Sequence, residues 1–270
     1  YLEDSMAKGN PAMTGNVVIV GGGNVAVDCA RNAKRRGAAN VTMVSLEQRD
    51  EMPATNAEIV ETLEDGVCVQ NGWGPKEVLT DEDGRVTGVI FKRCTQVIDP
   101  KTKRFSPLYD EDETMAVACD QVVFAIGQAI DSAPFEEGGF QTKHGRFVTK
   151  SDASAPGFDD VYVGGDCQSG PATVIRAINA GKIAAGNIDN YLGFNHKIEL
   201  DFDIPPIQFR DVGPCGRSET TLREADERVR DFDEIEVGLS KEEVMQEASR
   251  CLHCDHFGYG AFRGGRIEQW

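Results

Sequence analysis

The amino-acid sequence predicts an α/β protein with a parallel sheet, and three observations point to this class. A short apolar run ends in the glycines Gly21–Gly23, and a sequence typical of a helix follows at once. A second apolar run begins at Val41, so that strand, helix and strand alternate as parallel sheets require. The order of strand, glycines and helix returns near Gly164. A hydrophobic content of 40% and 29 glycines in 270 residues fit such a fold.

Composition and charge disfavour several classes of partner. The formal net charge of −17 argues against nucleic acid or an anionic membrane. No apolar run approaches membrane-spanning length, and no signal peptide is recognisable. Eight cysteines, mostly isolated, favour reduced thiols in the cytoplasm over a disulfide scaffold. The chain begins at Tyr1 without an initiator methionine, and we expect it to be a piece of something longer.

The first glycine-rich turn predicts a dinucleotide site. Gly21, Gly23 and Ala26 match the Gly-x-Gly-x-x-Gly/Ala fingerprint, in which the first glycine permits a tight turn and the second admits a pyrophosphate. A helix is expected from Asn24 to about Arg36, and its N-terminal N–H groups favour phosphates. A glycine-rich turn without a ligand is the alternative. The candidate binding residues are Gly21, Gly22, Gly23, Asn24, Val25 and Ala26.

An acidic side chain follows the second predicted strand. Glu47 lies about 20 or more positions beyond the fingerprint, where a carboxylate hydrogen-bonds the adenosine ribose. Because a carboxylate there repels a 2′-phosphate, NAD(H) is expected in preference to NADP(H). Arg49 is a nearby cation that keeps this choice open, and a solvated loop carboxylate is the alternative for Glu47.

The middle of the chain predicts a short helix, an antiparallel excursion and a further strand. Asn56–Glu64 has helical character, and hairpin signals follow it. Asp110–Glu113 is expected to be a solvated turn. The apolar run Gln121–Gly127 predicts a buried strand. The end of this strand, at Ile126 and Gly127, would allow the backbone to lie against a cofactor.

The second glycine-rich turn predicts a site for a sugar or ribitol hydroxyl. Asp166 follows Gly164 and Gly165, and a helix is expected with Pro171 at its first position, running to about Leu192. A buried carboxylate here could hold a hydroxyl, and the next helix N-terminus would stabilise negative charge, such as that of a reduced flavin ring. A helix cap is the alternative role for Asp166.

The composition changes after residue 200, first to a Pro-rich stretch and then to a strongly charged one. The charge alternation predicts a solvated, wrapping extension. Ser240–Glu243 reads as a capping box for a helix that leads to Cys251 and Cys254. Cysteines at this spacing form half of a metal or cluster site. Cys215, His256 or another chain could supply further ligands, and a redox disulfide or a coincidence of spacing are the alternatives.

Together these motifs resemble the C-terminal two-thirds of a glutamate synthase small-subunit-like flavoprotein, within the pyridine nucleotide-disulfide oxidoreductases. Gly21–Asp28, Phe124–Gly127, Gly164–Asp166 and Glu247–Cys254 carry the resemblance. It implies a Rossmann-like, three-layer nicotinamide domain, with a parallel sheet and an antiparallel excursion, inserted into an FAD domain. The implied division is a linker from an absent FAD-domain half over 1–14, an NAD(P)H-binding domain over 15–133, the C-terminal part of the FAD domain over 134–195, and an irregular and helical cysteine-bearing tail over 196–270.

The resemblance also implies an activity and cofactors. The chain would be an NAD(P)H-dependent flavin oxidoreductase subunit or fragment that passes electrons between NADH, FAD and iron–sulfur centres or a partner protein. No catalytic acid or base is implied, because hydride transfer needs none. The implied FAD contacts are Gly165, Asp166, Thr173 and Val174, and the implied ligands of a [4Fe–4S] cluster are Cys251 and Cys254.

Three departures from the family pattern matter. The N-terminal FAD fingerprint is absent, so this chain alone is expected to hold FAD poorly or not at all. Leu46-Glu47 replaces a double arginine of many NADPH-using members, and the four-cysteine cluster pattern is reduced to two. One alternative function is a non-catalytic NAD-binding module completed by a partner chain. A thioredoxin reductase-like disulfide reductase is disfavoured, because Cys29 and Cys68 are isolated.

Overall fold

The computed structural model describes residues 1–196 and 215–250. These residues divide into two compact units. The first comprises residues 1–127 together with 219–239, and the second comprises 128–196 with 215–218 and 240–250. Within the described ranges, none of the helices combines the length and the apolar character that crossing a membrane requires.

A four-stranded parallel sheet forms the centre of the first unit. Its strands lie in the order β3 (Cys68–Asn71), β2 (Asn40–Ser45), β1 (Asn16–Val20) and β7 (Gln121–Phe124), and all three neighbouring pairs are parallel. A separate antiparallel sheet is formed by β4 (Trp73–Thr80), β5 (Val86–Ile98) and β6 (Phe105–Ala118). In chain order the elements are α1 (Leu2–Ala7), β1 (Asn16–Val20), α2 (Asn24–Arg35), β2 (Asn40–Ser45), α3 (Asn56–Glu64), β3 (Cys68–Asn71), β4 (Trp73–Thr80), β5 (Val86–Ile98), β6 (Phe105–Ala118) and β7 (Gln121–Phe124).

The two faces of the parallel sheet are covered by different elements, which gives three layers. Val17 and Ile19 of β1 belong to a core shared with α2 and α3. Val18 and Val20 belong to a second core, which includes Phe91 of the antiparallel sheet. Successive side chains of a strand point to opposite faces, so a central strand covered on both sides must be apolar throughout. The predicted α/β class is confirmed.

Helices α2 and α3 form where the sequence predicts them. The buried side of α2 includes the small residues Ala26, Ala30 and Ala33, which let the helix lie close to the sheet. At the start of α3, the Thr55 hydroxyl accepts the Glu58 N–H at 3.4 Å and donates to the Glu58 carboxylate at 2.9 Å. This cap satisfies one of the N–H groups that a helix start leaves without an intrahelical partner.

Two local expectations in the first unit are corrected. Strand β7 ends at Phe124, before Gly127, and it is an exposed edge strand with one neighbour in the described sheet. Asp110–Glu113 lies inside β6, where the pairing register with β5 shifts. The Asp110 carboxylate accepts the two backbone N–H groups that lie two and three residues further on. A bulge with the hydrogen bonds of a turn therefore interrupts a continuous strand.

The second unit has less regular structure. An aromatic cluster lies beside its short elements: Phe140 stacks on Phe158 at a ring distance of 4.4 Å and meets Phe135 and Phe147 edge to face. The strand expected before Gly164 is reduced to a single bridge. The elements are α4 (Ala133–Glu137), β8 (Thr142–Lys143), β9 (Arg146–Phe147), α5 (Asp166–Ser169) and α6 (Val174–Tyr191).

Residues 219–239, here called the docked segment, pack against residues 1–127 of the same unit. The segment contains β10 (Thr221–Leu222), α7 (Ala225–Arg228) and β11 (Glu236–Val237). Arg228 is 2% exposed, and its guanidinium donates to the carboxylates of Asp65 at 2.6 Å and Glu64 at 2.9 Å. Arg31 of α2 donates to the other Asp65 oxygen at 2.7 Å. A buried network of charges thus joins this segment to α2 and to the end of α3.

A second attachment of the docked segment is built on Arg35. Its guanidinium donates to the carbonyl oxygens of Asp231 at 2.6 Å and Asp233 at 2.8 Å, and it lies over the Phe232 ring. The hydrogen-bonded guanidinium of Arg223 lowers the pKa of the Asp231 carboxyl to about 2. The segment therefore wraps onto the body of the unit, as expected. It is not solvated throughout, because Arg228 is buried and Arg35 fixes the backbone at Asp231 and Asp233.

Helix α8 (Lys241–Arg250) begins with the predicted capping box. The Ser240 hydroxyl accepts the Glu243 N–H at 3.3 Å, and the Glu243 carboxylate accepts the Ser240 N–H at 2.7 Å. The predicted cluster ligands Cys251 and Cys254, together with His256, lie outside the described residues.

Candidate nucleotide site

The carboxyl ends of parallel strands bring three predicted features to one edge of the central sheet. Gly21 follows β1, Glu47 follows β2, and Ile126 follows β7. The Gly21 N–H donates to the carbonyl of Val44 at 2.8 Å, which joins the turn to β2. Open parallel sheets bind ligands beyond the carboxyl ends of their strands. This edge is therefore the candidate site.

The three glycines of the turn meet different surroundings. Gly21 has φ +146°, and a Cβ there would lie 2.5 Å from the Ala125 carbonyl oxygen. A Cβ on Gly22 would lie 2.5 Å from the Glu47 carboxylate. A Cβ on Gly23, the N-cap of α2, would meet no described atom within 4 Å. Open space beside the first N–H groups of a helix fits a pyrophosphate.

Alanine at Gly21 and at Gly23 is expected to separate folding from binding. Gly21→Ala places a Cβ against a carbonyl oxygen at a strained φ, so we expect a lower thermal midpoint. Gly23 has φ −93° and ψ 175°, which alanine tolerates, so Gly23→Ala should keep the thermal midpoint of the wild type. It should nevertheless weaken NADH binding at least about tenfold, because the added methyl fills the pyrophosphate space. Differential scanning fluorimetry and calorimetric titration with NADH measure the two effects, and a Gly23→Ala variant with unchanged NADH affinity would contradict this assignment.

The Glu47 carboxylate lies over the glycine turn. Its Oε2 accepts a hydrogen bond from the Ser45 hydroxyl at 2.6 Å. The Glu47 carbonyl accepts the Gly72 N–H and the Asn71 side-chain amide, each at 3.1 Å, so the backbone is fixed as well. Ser45 was not among the residues predicted from the sequence. A hydroxyl residue two positions before the acid at a strand end is the signal that could have identified it.

The loop between Glu47 and α3 is tied back to the glycine turn. The Thr55 N–H donates to the Asn24 side-chain carbonyl at 3.0 Å, and the Ala54 N–H donates to the Gly22 carbonyl at 3.1 Å. Arg49 donates to the Asn56 side chain at 3.2 Å, at the start of α3. Asn24 therefore holds a loop as well as beginning the helix.

The other predicted contacts of this edge are open to solvent. Val25, on the first turn of α2, is 58% exposed, and Ile126 is 68% exposed. Gly127 is also exposed, and its φ of +99° favours glycine. No added side chain at Gly127 would meet a described atom within 4 Å. These positions leave room for a ligand beside the glycine turn.

The buried thiols of the first unit are unsuited to disulfide chemistry. Burial, together with the neighbouring Asp28 carboxylate, raises the pKa of the Cys29 thiol to about 11. Burial likewise raises the pKa of Cys94 and Cys119. The thiolate is the reactive form of cysteine, and the described cysteines are all free. Burial therefore disfavours the reactive form of these three thiols.

Alkylation is expected to distinguish exposed from buried cysteines among the described residues. Brief iodoacetamide treatment of the folded protein should modify the exposed Cys68 and Cys215. Cys29, Cys94 and Cys119 should react only after denaturation, because they are buried and their pKa values are raised. Peptide mass spectrometry reads out each site, with the denatured protein as control. Equal labelling of Cys29 and Cys68 in the folded protein would be the opposite result.

The predicted flavin contacts of the second unit form an exposed turn. Gly165 has φ +78° and precedes α5, and a Cβ on Gly164 would lie 3.3 Å from Ala180 of α6. The small residues of α6 thus allow a close approach to this turn. Asp166 is exposed, which corrects the expectation of a buried carboxylate. The reason is local: α5 is a four-residue helix at the surface of the described unit, and none of its residues is buried.

The start of helix α6 also differs from the expectation. The helix begins at Val174 rather than at Pro171, because its N-cap Thr173 keeps an extended backbone with φ −79° and ψ 155°. Asp166 is therefore not the cap of this helix. Thr173 makes no side-chain cap hydrogen bond, and both Thr173 and Val174 are exposed. This end of α6 has its polar and apolar groups facing solvent.

The parallel sheet, the glycine turn at its carboxyl edge and the carboxylate beside that turn form the arrangement of a Rossmann-type fold. The sequence profile of the pyridine nucleotide-disulphide oxidoreductases matches residues 3–181. The chain belongs to this family, whose members are NAD(P)H-dependent oxidoreductases, and it is similar to relatives named as glutamate synthase small chains.

Two curated relatives show how the chain compares with longer proteins. The NADP(+)-dependent formate dehydrogenase subunit beta of Moorella thermoacetica is 34% identical, over 98% of this chain and 39% of its own length. The glutamate synthase [NADPH] small chain of Azospirillum brasilense is 31% identical, over 65% of this chain and 37% of its own length. The chain thus spans about two fifths of the length of these two relatives.

Solved structures agree on the fold. Thioredoxin reductase from T. acidophilum superposes with a TM-score of 0.51 at 23% identity, covering 66% of this chain and 52% of that one. Thioredoxin reductase from Lactococcus lactis gives a TM-score of 0.55 at 17% identity, covering 70% and 56%. At such identities the likeness concerns the fold alone.

Proposed function

We propose that this chain is the nicotinamide-binding part of an NAD(P)H-dependent flavin oxidoreductase and that it prefers NADH to NADPH. The observation that carries the proposal is the Glu47 carboxylate, held against Gly22 at the glycine turn. A carboxylate there accepts a hydrogen bond from a ribose 2′-hydroxyl and repels a 2′-phosphate. The relatives above are named for NADP(+) and NADPH, so the preference for NADH is a difference that we infer from this chain's own residues.

The residues present fit both groups that the family implies. For a nicotinamide dinucleotide, the open space at Gly23 and the N-terminus of α2 would receive the pyrophosphate. For FAD, Gly165 offers a comparable opening, since a Cβ there would meet no described atom within 4 Å. Asp166, Thr173 and Val174 remain the proposed further FAD contacts. When bound, the two cofactors supply the redox chemistry, and the protein binds and orients them.

The proposed electron route runs between NADH, FAD and iron–sulfur centres or a partner protein. Several relatives are named as subunits, which supports a partner for this chain. Cys251 and Cys254 are the proposed ligands of a [4Fe–4S] cluster. We place this activity in the reducing cytoplasm, because the described cysteines are free thiols.

Helix α6 supports the proposal that a further polypeptide completes the flavin domain. None of its residues is buried, although its sequence is rich in apolar residues. A partner chain or a further segment would remove this surface from water, which is favourable in proportion to the apolar area covered. The exposed apolar residues at or next to α6 are Val174, Ile175, Ile178, Ile183, Ile188, Tyr191 and Leu192.

The absorbance of the purified full-length protein tests this function. We expect a flavin spectrum that bleaches anaerobically on addition of NADH, and more slowly with NADPH. The Gly23→Ala variant is the matched control, since it should keep the flavin but need at least about tenfold more NADH for the same bleaching. A colourless protein that also fails to reduce an artificial electron acceptor with NADH would refute the oxidoreductase proposal.

A non-catalytic NAD-binding module is the second candidate. The exposed flavin turn around Asp166 favours it, because the described residues cover one side of that turn and leave the other to solvent. Separate calorimetric titrations of this chain with NAD and with FAD distinguish the candidates. Binding of NAD alone favours the module, whereas tight binding of FAD argues against it.

A further inference from the structure

A side chain outside the dinucleotide fingerprint lies at the end of β2, beside the glycine turn. Ser45 is the last residue of β2 and is completely buried, at 0% exposure. Its hydroxyl donates to Glu47 Oε2 at 2.6 Å and accepts the Glu47 N–H at 3.1 Å. One hydroxyl therefore uses its donor on the carboxylate and a lone pair on the amide of the same residue.

Gly22 completes this arrangement because it leaves space for the pair. A Cβ at Gly22 would lie 2.5 Å from Glu47 Oε2 and 2.6 Å from the Ser45 hydroxyl oxygen. The backbone of Gly22 is not in the left-handed region, so the space rather than the φ angle requires glycine here. The carboxylate is thereby confined between β2 and the glycine turn.

The carboxylate keeps one oxygen for a ligand. Within residues 1–196 and 215–250, Glu47 Oε2 is engaged by Ser45 and Oε1 makes no hydrogen bond. A glutamate side chain loses rotamer freedom when it is ordered, and a hydrogen bond made before the nucleotide arrives lowers that cost on binding. Oε1 is thus presented in a fixed place to a hydroxyl donor.

We propose that Ser45 is a positioning residue that preorganises Glu47 for the adenosine ribose and so sets the discrimination between NADH and NADPH. The inference rests on the proposed role of Glu47. A fixed carboxylate gains from the 2′-hydroxyl of NADH and cannot move away from the 2′-phosphate of NADPH. Without the Ser45 hydrogen bond, the Glu47 carboxylate would bind the 2′-hydroxyl of NADH less favourably. It could also turn away from the 2′-phosphate of NADPH and so reduce the repulsion.

Calorimetric titration of the Ser45→Ala chain with NADH and with NADPH tests the proposal. We expect NADH to bind about three- to tenfold more weakly, as for the loss of one hydrogen bond that orders a charged group. NADPH affinity should stay the same or rise. Thr42→Ala, a hydroxyl removal in the same strand, is the matched control and should leave both affinities unchanged.

A double variant separates positioning from a merely structural role. In a Glu47→Ala background, Ser45→Ala should cause no further change in the ratio of the two affinities, because no carboxylate remains to be positioned. An equal loss of both affinities with a lower thermal midpoint would mean that Ser45 is structural, which overturns the proposal. An unchanged ratio in Ser45→Ala, with a changed ratio in Glu47→Ala, overturns it as well. An unchanged ratio in Glu47→Ala would instead refute the proposed role of Glu47 itself.

Discussion

Replacing Glu47 with alanine is expected to weaken NADH binding by about ten- to hundredfold, the effect of losing a hydrogen bond to a charged group. NADPH should bind as well as before or better, because the variant no longer places a carboxylate beside the 2′-phosphate. The preference for NADH over NADPH should therefore become smaller or reverse. Calorimetric titration with both nucleotides, or the KM for each in the full-length protein, measures the change.

The neighbouring Glu51 provides the control for this experiment. It is an exposed carboxylate in the same loop, and Glu51→Ala removes the same formal charge. Long-range attraction or repulsion would affect both variants alike, whereas a direct contact with the ribose would affect Glu47→Ala alone. Parallel changes in the two variants, or unchanged relative affinities in Glu47→Ala, would remove Glu47 from the site.

Replacing Arg228 with alanine is expected to release the docked segment and to lower the free energy of unfolding by about 3–5 kcal/mol. The guanidinium is 2% exposed and donates to Asp65, whose side chain is 1% exposed. Removal leaves that buried carboxylate with Arg31 alone, and an undercompensated buried charge is costly. Burial lowers the pKa of Arg228, but its hydrogen bonds to Asp65 and Glu64 outweigh that effect and raise the pKa, so the guanidinium stays charged.

Arg230 lies in the same segment and controls for the loss of a positive charge. Its side chain is 73% exposed and pairs with Asp226 on the surface, so Arg230→Ala should change stability by less than about 1 kcal/mol. Urea unfolding gives the two free energies, and limited proteolysis shows whether residues 219–239 have become accessible. An Arg228→Ala chain as stable and as resistant as Arg230→Ala would contradict the buried network.

The fold of the first unit could be predicted from the sequence because the patterns that specify it are local. The fingerprint at Gly21 and the run of small residues in α2 fix a turn and a helix, and the alternation of strands and helices fixes a parallel sheet. The Glu47 position follows from the same pattern. The edge character of β7 and the bulge at Asp110 were missed, because both depend on which strand lies alongside rather than on the residues themselves.

The docked segment could not be read from the sequence for a related reason. Arg228 and Asp65 are 163 positions apart, and either residue alone reads as an ordinary surface charge. Only the fold brings them together. The Ser45–Glu47 contact is the opposite case. The two residues are two positions apart, and the end of the predicted strand already indicates where the contact lies. The prediction that Asp166 is buried was wrong. Burial of this side chain depends on which other part of the protein covers the turn, and the neighbouring residues in the sequence do not indicate that.

The central claim is that the glycine turn of the first unit binds a nicotinamide dinucleotide, and hydrogen–deuterium exchange with and without saturating NADH tests it most directly. The first N–H groups of α2 lack intrahelical partners and would gain a pyrophosphate as acceptor. We predict slower exchange in peptides covering residues 21–27 and 45–56, with little change in the antiparallel sheet of residues 73–118. Binding of NADH without protection of residues 21–27 would contradict the claim.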